Sequence, residues 1–336
     1  MPLFAYVGNY GSNTISVIDT DPSNTLTYNT VVATIPLESV PTGIVIMPNN
    51  MQVYVGLESS DAVAVIDTDP NNTTYNTVVA TISAGDQPYG IAHSLSAHLT
   101  YVANHVSNNV SVIDTDPNNT TYNTVVATIP VGDQPYGIAI SPDGKHAYVA
   151  NRASNTVSVI DTDHYNTTTH NTVVATVPVG TQPYGIATTP DGNLLYVTNC
   201  ESENVSVIDT NAEHSSTYNA VVAMIQMRGL LLGVTITPDG KFAYVANAST
   251  NNVLVIDTNP SNTDAYNTVV ASVEALSTAP YAVAFTSDGK YAYVPNSGTN
   301  SVAVIDTNPS NTDTYNTVVA NIMVESEPLS IATTGR

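Results

Sequence analysis

Seven times along this chain of 336 residues a Tyr-Val pair and two further residues precede a position that packing does not dictate: Tyr10, Glu58, His105, Arg152, Cys200, Ala248 and Ser297. Four of these side chains could do chemistry. A histidine such as His105 can serve as a general base near neutral pH, with a carboxylate such as Glu58 to orient it. Arg152 offers a planar fork of donors for an anionic or hydroxylated group. Cys200 would be a nucleophile only with a base beside it and a lowered pKa, so it reads as a free thiol.

A second set of positions breaks the repeat in the same neighbourhood. The residue after the proline of each Pro-Tyr-Gly-like segment runs Thr42, Tyr89, Tyr136, Tyr184, Leu232, Tyr281 and Leu329. Three consecutive copies therefore present Tyr89, Tyr136 and Tyr184, each two residues after Gln87, Gln134 or Gln182. The candidate ligand-binding set is Tyr89, Tyr136, Tyr184, Gln134, His105, Arg152 and Glu58. Aromatic rings with amide and charged partners in a concavity suit a small polar molecule, a sugar, or a protein or peptide partner. The structural alternative is that the tyrosines plug a channel end while loop residues drift.

Metal chemistry finds less support. The segments PTGIVIM, PYGIAHS, PYGIAIS, PYGIATT, LLGVTIT, PYAVAFT and PLSIATT, which should form the innermost strands, contain no Asp or Glu. A hard divalent ion needs about six oxygen ligands, so an axial site on those strands is not expected. Asp67 and Asp69, like Asp114 and Asp116, match the first half of a calcium loop but lack its Gly and its closing Glu. Capping of the turn's own amides is the favoured account, with weak calcium binding as the alternative and no other cofactor expected. His170 and His146 occupy positions that are aromatic in other copies, and His98, His164 and His214 fall in turns. His93 replaces an aliphatic residue on an innermost strand.

The elements that must position these residues are strands. The tetrapeptide VIDT recurs with its aspartate at Asp19, Asp67, Asp114, Asp161, Asp209, Asp257 and Asp306, giving seven repeats of about 48 residues. Each repeat reads as four short strands rich in Val, Ile, Tyr and Thr, bounded by Gly, Pro, Asn or Asp turns. In one copy they are Tyr136–Ser141 (A), His146–Asn151 (B), Thr156–Thr162 (C) and Thr172–Val179 (D). The Pro-Asp-Gly turns between A and B are preset by Pro and by Gly at positive φ. Four antiparallel strands repeated radially describe an all-β, seven-bladed β-propeller. The chain starts in a B strand (Leu3–Asn9) and stops after an A strand (Leu329–Thr334), so the C-terminal strand should complete the N-terminal blade and close the ring.

Residues 1–336 thus read as one propeller domain, expected to be a monomer. The formal net charge of −22, with three Lys and three Arg, excludes nucleic acid and anionic membrane as expected partners. There is no run of 18 apolar residues, hence no expected membrane insertion. The segment MPLFAYVGN has neither a basic nor an apolar signal region.

The copies YVGN, YVGL, YVAN, YVAN, YVTN, YVAN and YVPN, each followed by an SVIDT-like strand and a PYGIAISPDG-like strand, resemble the YVTN family of β-propeller repeat proteins over essentially the whole chain. That resemblance implies surface-layer, secreted or periplasmic binding and scaffold proteins. The expectation is therefore a non-enzymatic binding or scaffold propeller holding its ligand at the mouth formed by the D–A and B–C loops. Two alternatives stand beside it: a lactonase-like or lyase-like enzyme using the same mouth, with His105 as base and Glu58 as partner, and a structural unit of a cell-surface array.

Overall fold

The computed structural model describes residues 3–274 and 278–335. Seven four-stranded antiparallel sheets make up almost all of its regular structure. Two 3-10 turns, Glu58–Ser60 and Ser297–Thr299, are the helical segments among the described residues. The protein is an all-β seven-bladed propeller. In blade 4 the strands run Pro135–Ile140 (A), His146–Asn151 (B), Thr156–Asp161 (C) and Thr172–Pro178 (D), each boundary within one residue of the expected one.

Burial explains the residue pattern. The B and C strands are covered on both faces and accordingly read as nearly unbroken apolar runs. The D strands alternate, as strands with one open face do. The seven YVxN-type tyrosines are the largest side chains with almost no exposure. Hydroxyls of three of them, Tyr101, Tyr244 and Tyr293, donate to the Asn of a distant C–D loop, as in Tyr101 Oη to Asn171 Oδ1 (3.1 Å) and Tyr293 Oη to Asn29 Oδ1 (2.6 Å).

The C–D loops are held by the VIDT aspartate. In blade 3 Asp114 Oδ1 accepts from Asp116 N (2.9 Å), and Oδ2 accepts from Asn119 Nδ2 (3.0 Å) and Thr121 Oγ1 (2.5 Å). Asp67 makes the same set with Asp69, Asn72 and Thr74. Asp69 and Asp116 each accept from the backbone and side-chain amide nitrogens of the Asn two residues on. The four calcium candidates thus spend oxygens on the loop's own donors. No group of three metal-ligating side chains occurs among the described residues.

The first blade is completed by the C-terminal strand Pro328–Thr333, which pairs with Phe4–Asn9 in the register Ala5 to Thr333, Tyr6 to Ala332 and Val7 to Ile331. Phe4 N donates to Thr334 Oγ1 and Thr334 N to Phe4 O, both at 2.8 Å. One A strand departs from the pattern: in blade 7 it shrinks to Ala284–Phe285, with a lone bridge between Pro280 and Asn296. Ala282 stands there in place of the Gly found at 90 and 137. At those glycines a Cβ would lie 2.2 and 2.4 Å from the carbonyl oxygens of Tyr136 and Tyr184, so the A strands approach too closely for a side chain.

The chain divides into two compact units, one of Met1–Val55, Val65–Val79 and Leu232–Arg336, the other of Gly56–Ala64 and Ala80–Leu231. The first holds blades 1, 6 and 7 and most of blade 2. The second holds blades 3 to 5 and the B–C turn of blade 2, and with them every residue of the candidate ligand site.

Candidate functional site

Backbone in the left-handed region builds the platform of the site. Gln87, Gln134 and Gln182 have φ of 52°, 52° and 53°, a conformation that costs a non-glycine residue about 1 kcal/mol and persists only when neighbours fix it. They are fixed at both ends. Their N–H groups donate to Asp61 Oδ1 (2.9 Å), Asn108 Oδ1 (2.8 Å) and Asn155 Oδ1 (2.9 Å), themselves left-handed residues in the B–C turn of the preceding blade. Their carbonyls accept from the N–H groups of His105 (2.8 Å), Arg152 (2.9 Å) and Cys200 (2.9 Å). The three chemistry-bearing residues are therefore tethered by their backbones to the glutamines that precede the Pro-Tyr-Gly strands.

From these tethers the side chains lean toward the next blade. His105 Nδ1 lies 3.4 Å from the carbonyl of Pro135, Arg152 donates from Nε (3.3 Å) and Nη2 (2.9 Å) to Gln182 Oε1, and the Cys200 thiol donates to the carbonyl of Leu231 (2.9 Å). The tyrosines form a ladder beneath. Ring centroids are 4.5 Å apart for Tyr89 and Tyr136 and 3.9 Å for Tyr136 and Tyr184, and the Tyr184 hydroxyl is hydrogen-bonded to that of Tyr136. His105 is 5.2 Å from the Tyr89 ring and stands edge-on to Tyr136 at 5.9 Å. Tyr89, His105, Tyr136 and Tyr184 thus form one continuous aromatic group, with Arg152 near enough to His105 to act on its charge. The ladder faces are mostly occupied by one another, so flat stacking area for a ligand is smaller than the sequence suggests.

Electrostatics set the state of the base. Burial pushes the pKa of His105 below its ordinary value; the Pro135 carbonyl raises it, the Arg152 cation lowers it further, and the Glu58 carboxylate partly restores it. Donation from Nδ1 to Pro135 is the tautomer that leaves Nε2 as the free base. Glu58 Oε2 is buried and has no hydrogen-bond partner among the described residues. Burial drives the Cys200 thiol up to about 12 against the pull of Arg152, which leaves it protonated and inert as a nucleophile.

Beside Arg152 opens a cavity of about 330 Å³ lined by Gln134, Arg152, Ala153, Asn155, Gln182 and Glu201. Its size is at the lower end for small-molecule sites. Asn155 and Glu201 were not among the sequence candidates; the signal for Asn155 was the recurrence of Asn or Asp just before strand C. A cavity of about 410 Å³ in the other unit lies among Asp239, Asp288, Lys290 and Tyr315 at the Pro-Asp-Gly turns. There Lys241 and Lys290 are engaged by Asp239 (3.3 Å) and Asp288 (3.6 Å), and no histidine stands in the lining.

Known structures share the fold. A functionally unknown protein from Desulfotomaculum acetoxidans matches at 18% identity over 99% of both chains with a TM-score of 0.80. Hydrazine synthase of Kuenenia stuttgartiensis matches at 26% identity over 87% of this chain and 89% of that one, TM-score 0.72. The periplasmic gluconolactonase PpgL of Pseudomonas aeruginosa matches at 17% over 99% of both, TM-score 0.78. A search of curated proteins gave no match. The family model described as lactonase, 7-bladed beta-propeller, matches residues 3–136 and 132–227. That match corrects the expectation of a non-enzymatic binding or scaffold propeller: the family it describes is one of lactonases, which favours the lactonase-like alternative, framed on the same mouth with His105 as base and Glu58 as partner. With well over half of its residues covered by that model, the chain belongs to the seven-bladed β-propeller lactonase family.

Proposed function

We propose that the protein hydrolyses a lactone at the mouth of blades 3 to 5. The observation that carries this reading is a histidine kept neutral by burial and by an adjacent guanidinium, with an unpartnered carboxylate oxygen in its electrostatic reach, in a chain of a lactonase family. His105 Nε2 takes a proton from water as the water oxygen adds to the lactone carbonyl carbon. Arg152, held by Gln182, stabilises the oxyanion that forms. The ring C–O bond then breaks, and the departing ring oxygen takes a proton from His105 to become a hydroxyl. Glu58 stabilises the imidazolium between these steps. The cavity at Gln134, Asn155 and Gln182 supplies donors and acceptors for ring hydroxyls.

Two coarser readings accompany this one. The name of the P. aeruginosa neighbour supports an extracytoplasmic location, periplasmic or secreted. The YVxN motifs support a YVTN-type origin for the repeat, which concerns how blades are built rather than what the mouth does.

Hydrolysis of D-glucono-1,5-lactone followed by proton release, with the spontaneous rate subtracted, tests the proposal. His105→Gln is expected to lower kcat/KM by about 10² or more, the usual contribution of a positioned base, with an unchanged Tm. In the parent protein kcat/KM should rise with pH and level off below the ordinary histidine range, because the His105 pKa is lowered. Activity that survives His105→Gln would move the base elsewhere.

A further inference from the structure

We propose that this mouth selects uncharged lactones and turns away phosphorylated or carboxylated ones, its own carboxylate product included; this deepens, and rests on, the lactonase reading of the same site. The D–A and B–C loops of blades 3 to 5 and their immediate neighbours in the same unit carry Glu58, Asp61, Asp86, Asp133, Glu201 and Glu203. Against these stand two cations, Arg152 and Arg228.

Within the cavity the balance is one of each sign, Arg152 and Glu201. Part of the guanidinium fork is already spent on Gln182 Oε1. What remains can polarise a carbonyl or bond a hydroxyl. A phosphate monoester brings close to two negative charges at neutral pH and is ordinarily met by several Arg or Lys donors. Here one partly committed guanidinium would face it, inside a chain of net charge −22.

The acidic surroundings act over roughly 10 Å at 0.1 M salt. A neutral lactone feels no such repulsion on entry. Its hydrolysis creates a carboxylic acid that ionises at once, so an uncharged molecule enters and an anion leaves. The field that does nothing to the substrate thereby favours departure of the product.

The test compares kcat/KM of the full chain for D-glucono-1,5-lactone and for its 6-phosphate at about 20 and about 200 mM NaCl, on either side of that screening range. At low salt the phosphorylated lactone is expected to be slower by about tenfold or more. Its rate should climb with salt while the neutral lactone's stays level, and added D-gluconate should inhibit weakly. The double variant Asp86→Lys/Asp133→Lys, at two exposed positions outside the proposed catalytic group, should raise the rate for the 6-phosphate several-fold and leave the neutral lactone unchanged. Equal or faster turnover of the 6-phosphate at low salt, or a rate that falls as salt is added, overturns the selectivity and leaves the lactonase reading standing. No acceleration of either lactone above its spontaneous hydrolysis removes the lactonase reading, and the selectivity with it.

Discussion

His93 and His105 are both half-buried histidines of blade 3, yet they ask to be read differently. His105 leans across to the next blade; burial lowers its pKa, and the Arg152 cation of that blade and the Glu58 carboxylate of the preceding one pull it in opposite directions. His93 sits on the innermost strand with Nδ1 3.1 Å from Thr100 Oγ1, and burial, helped by His98, drives its pKa from 6.5 down to about 4. A base whose folded pKa is depressed takes up fewer protons when folded than when unfolded. Stability is then whole above pH 6.5 and declines as pH falls through the window to about 4, by at most about 3 kcal/mol. His93→Ile, the residue found at the equivalent positions 46, 140 and 236, should flatten that part of the Tm against pH curve. An unaltered slope between pH 6.5 and 4 would assign the acid sensitivity elsewhere. The aspartates of the C–D loops titrate lower down. For Asp67 and Asp114 burial raises the pKa, but the hydrogen bonds from Thr, backbone and Asn outweigh it, so their contribution is present above the usual carboxylate range and lost as pH falls through the lowered value.

At the scale of the element, the strands were readable because their demands are local: VIDT and YVxN alternate with turn residues, and the period of about 48 residues sets the blade. The loops were readable only in part. That His105, Arg152 and Tyr136 would vary against a constant background was evident from the repeat, whereas the clasp of left-handed residues was not, since each bond in it joins residues 18 to 27 positions apart through backbone groups. Glutamine gives no sign in its own right that it will adopt positive φ; the constraint comes from the Asn or Asp of the preceding blade. Asn108→Gly keeps the left-handed turn and deletes the acceptor of Gln134 N–H. It should cost about 1 kcal/mol and speed amide exchange at Gln134, with blade 1 unaffected. Replacing a buried tyrosine is a harsher test: Tyr148→Ala, at 2% exposure, should lower stability by about 3 to 5 kcal/mol in denaturant titration, as removal of a buried aromatic ring does. A loss under 1 kcal/mol would mean the ring is not part of the packing between strands.

For the whole molecule the decisive pairing is between its first and last strands. Phe4 and Thr334 are 330 residues apart in sequence and exchange backbone and hydroxyl hydrogen bonds. Removing residues 328–336 should leave Phe4–Asn9 with an open edge, and the expected outcome is a lower Tm with concentration-dependent light scattering. A truncated chain that stayed monodisperse with an unchanged Tm would show the pairing to be dispensable. The same pairing imposes an order on biosynthesis. At roughly 5 to 20 residues per second, some tens of seconds separate the emergence of the first strand from that of its partner. Throughout that interval the nascent chain must carry an unfinished sheet, and the burden falls on whatever shields it at the ribosome, so a codon or temperature change that lengthens the wait should cost soluble yield before it costs activity.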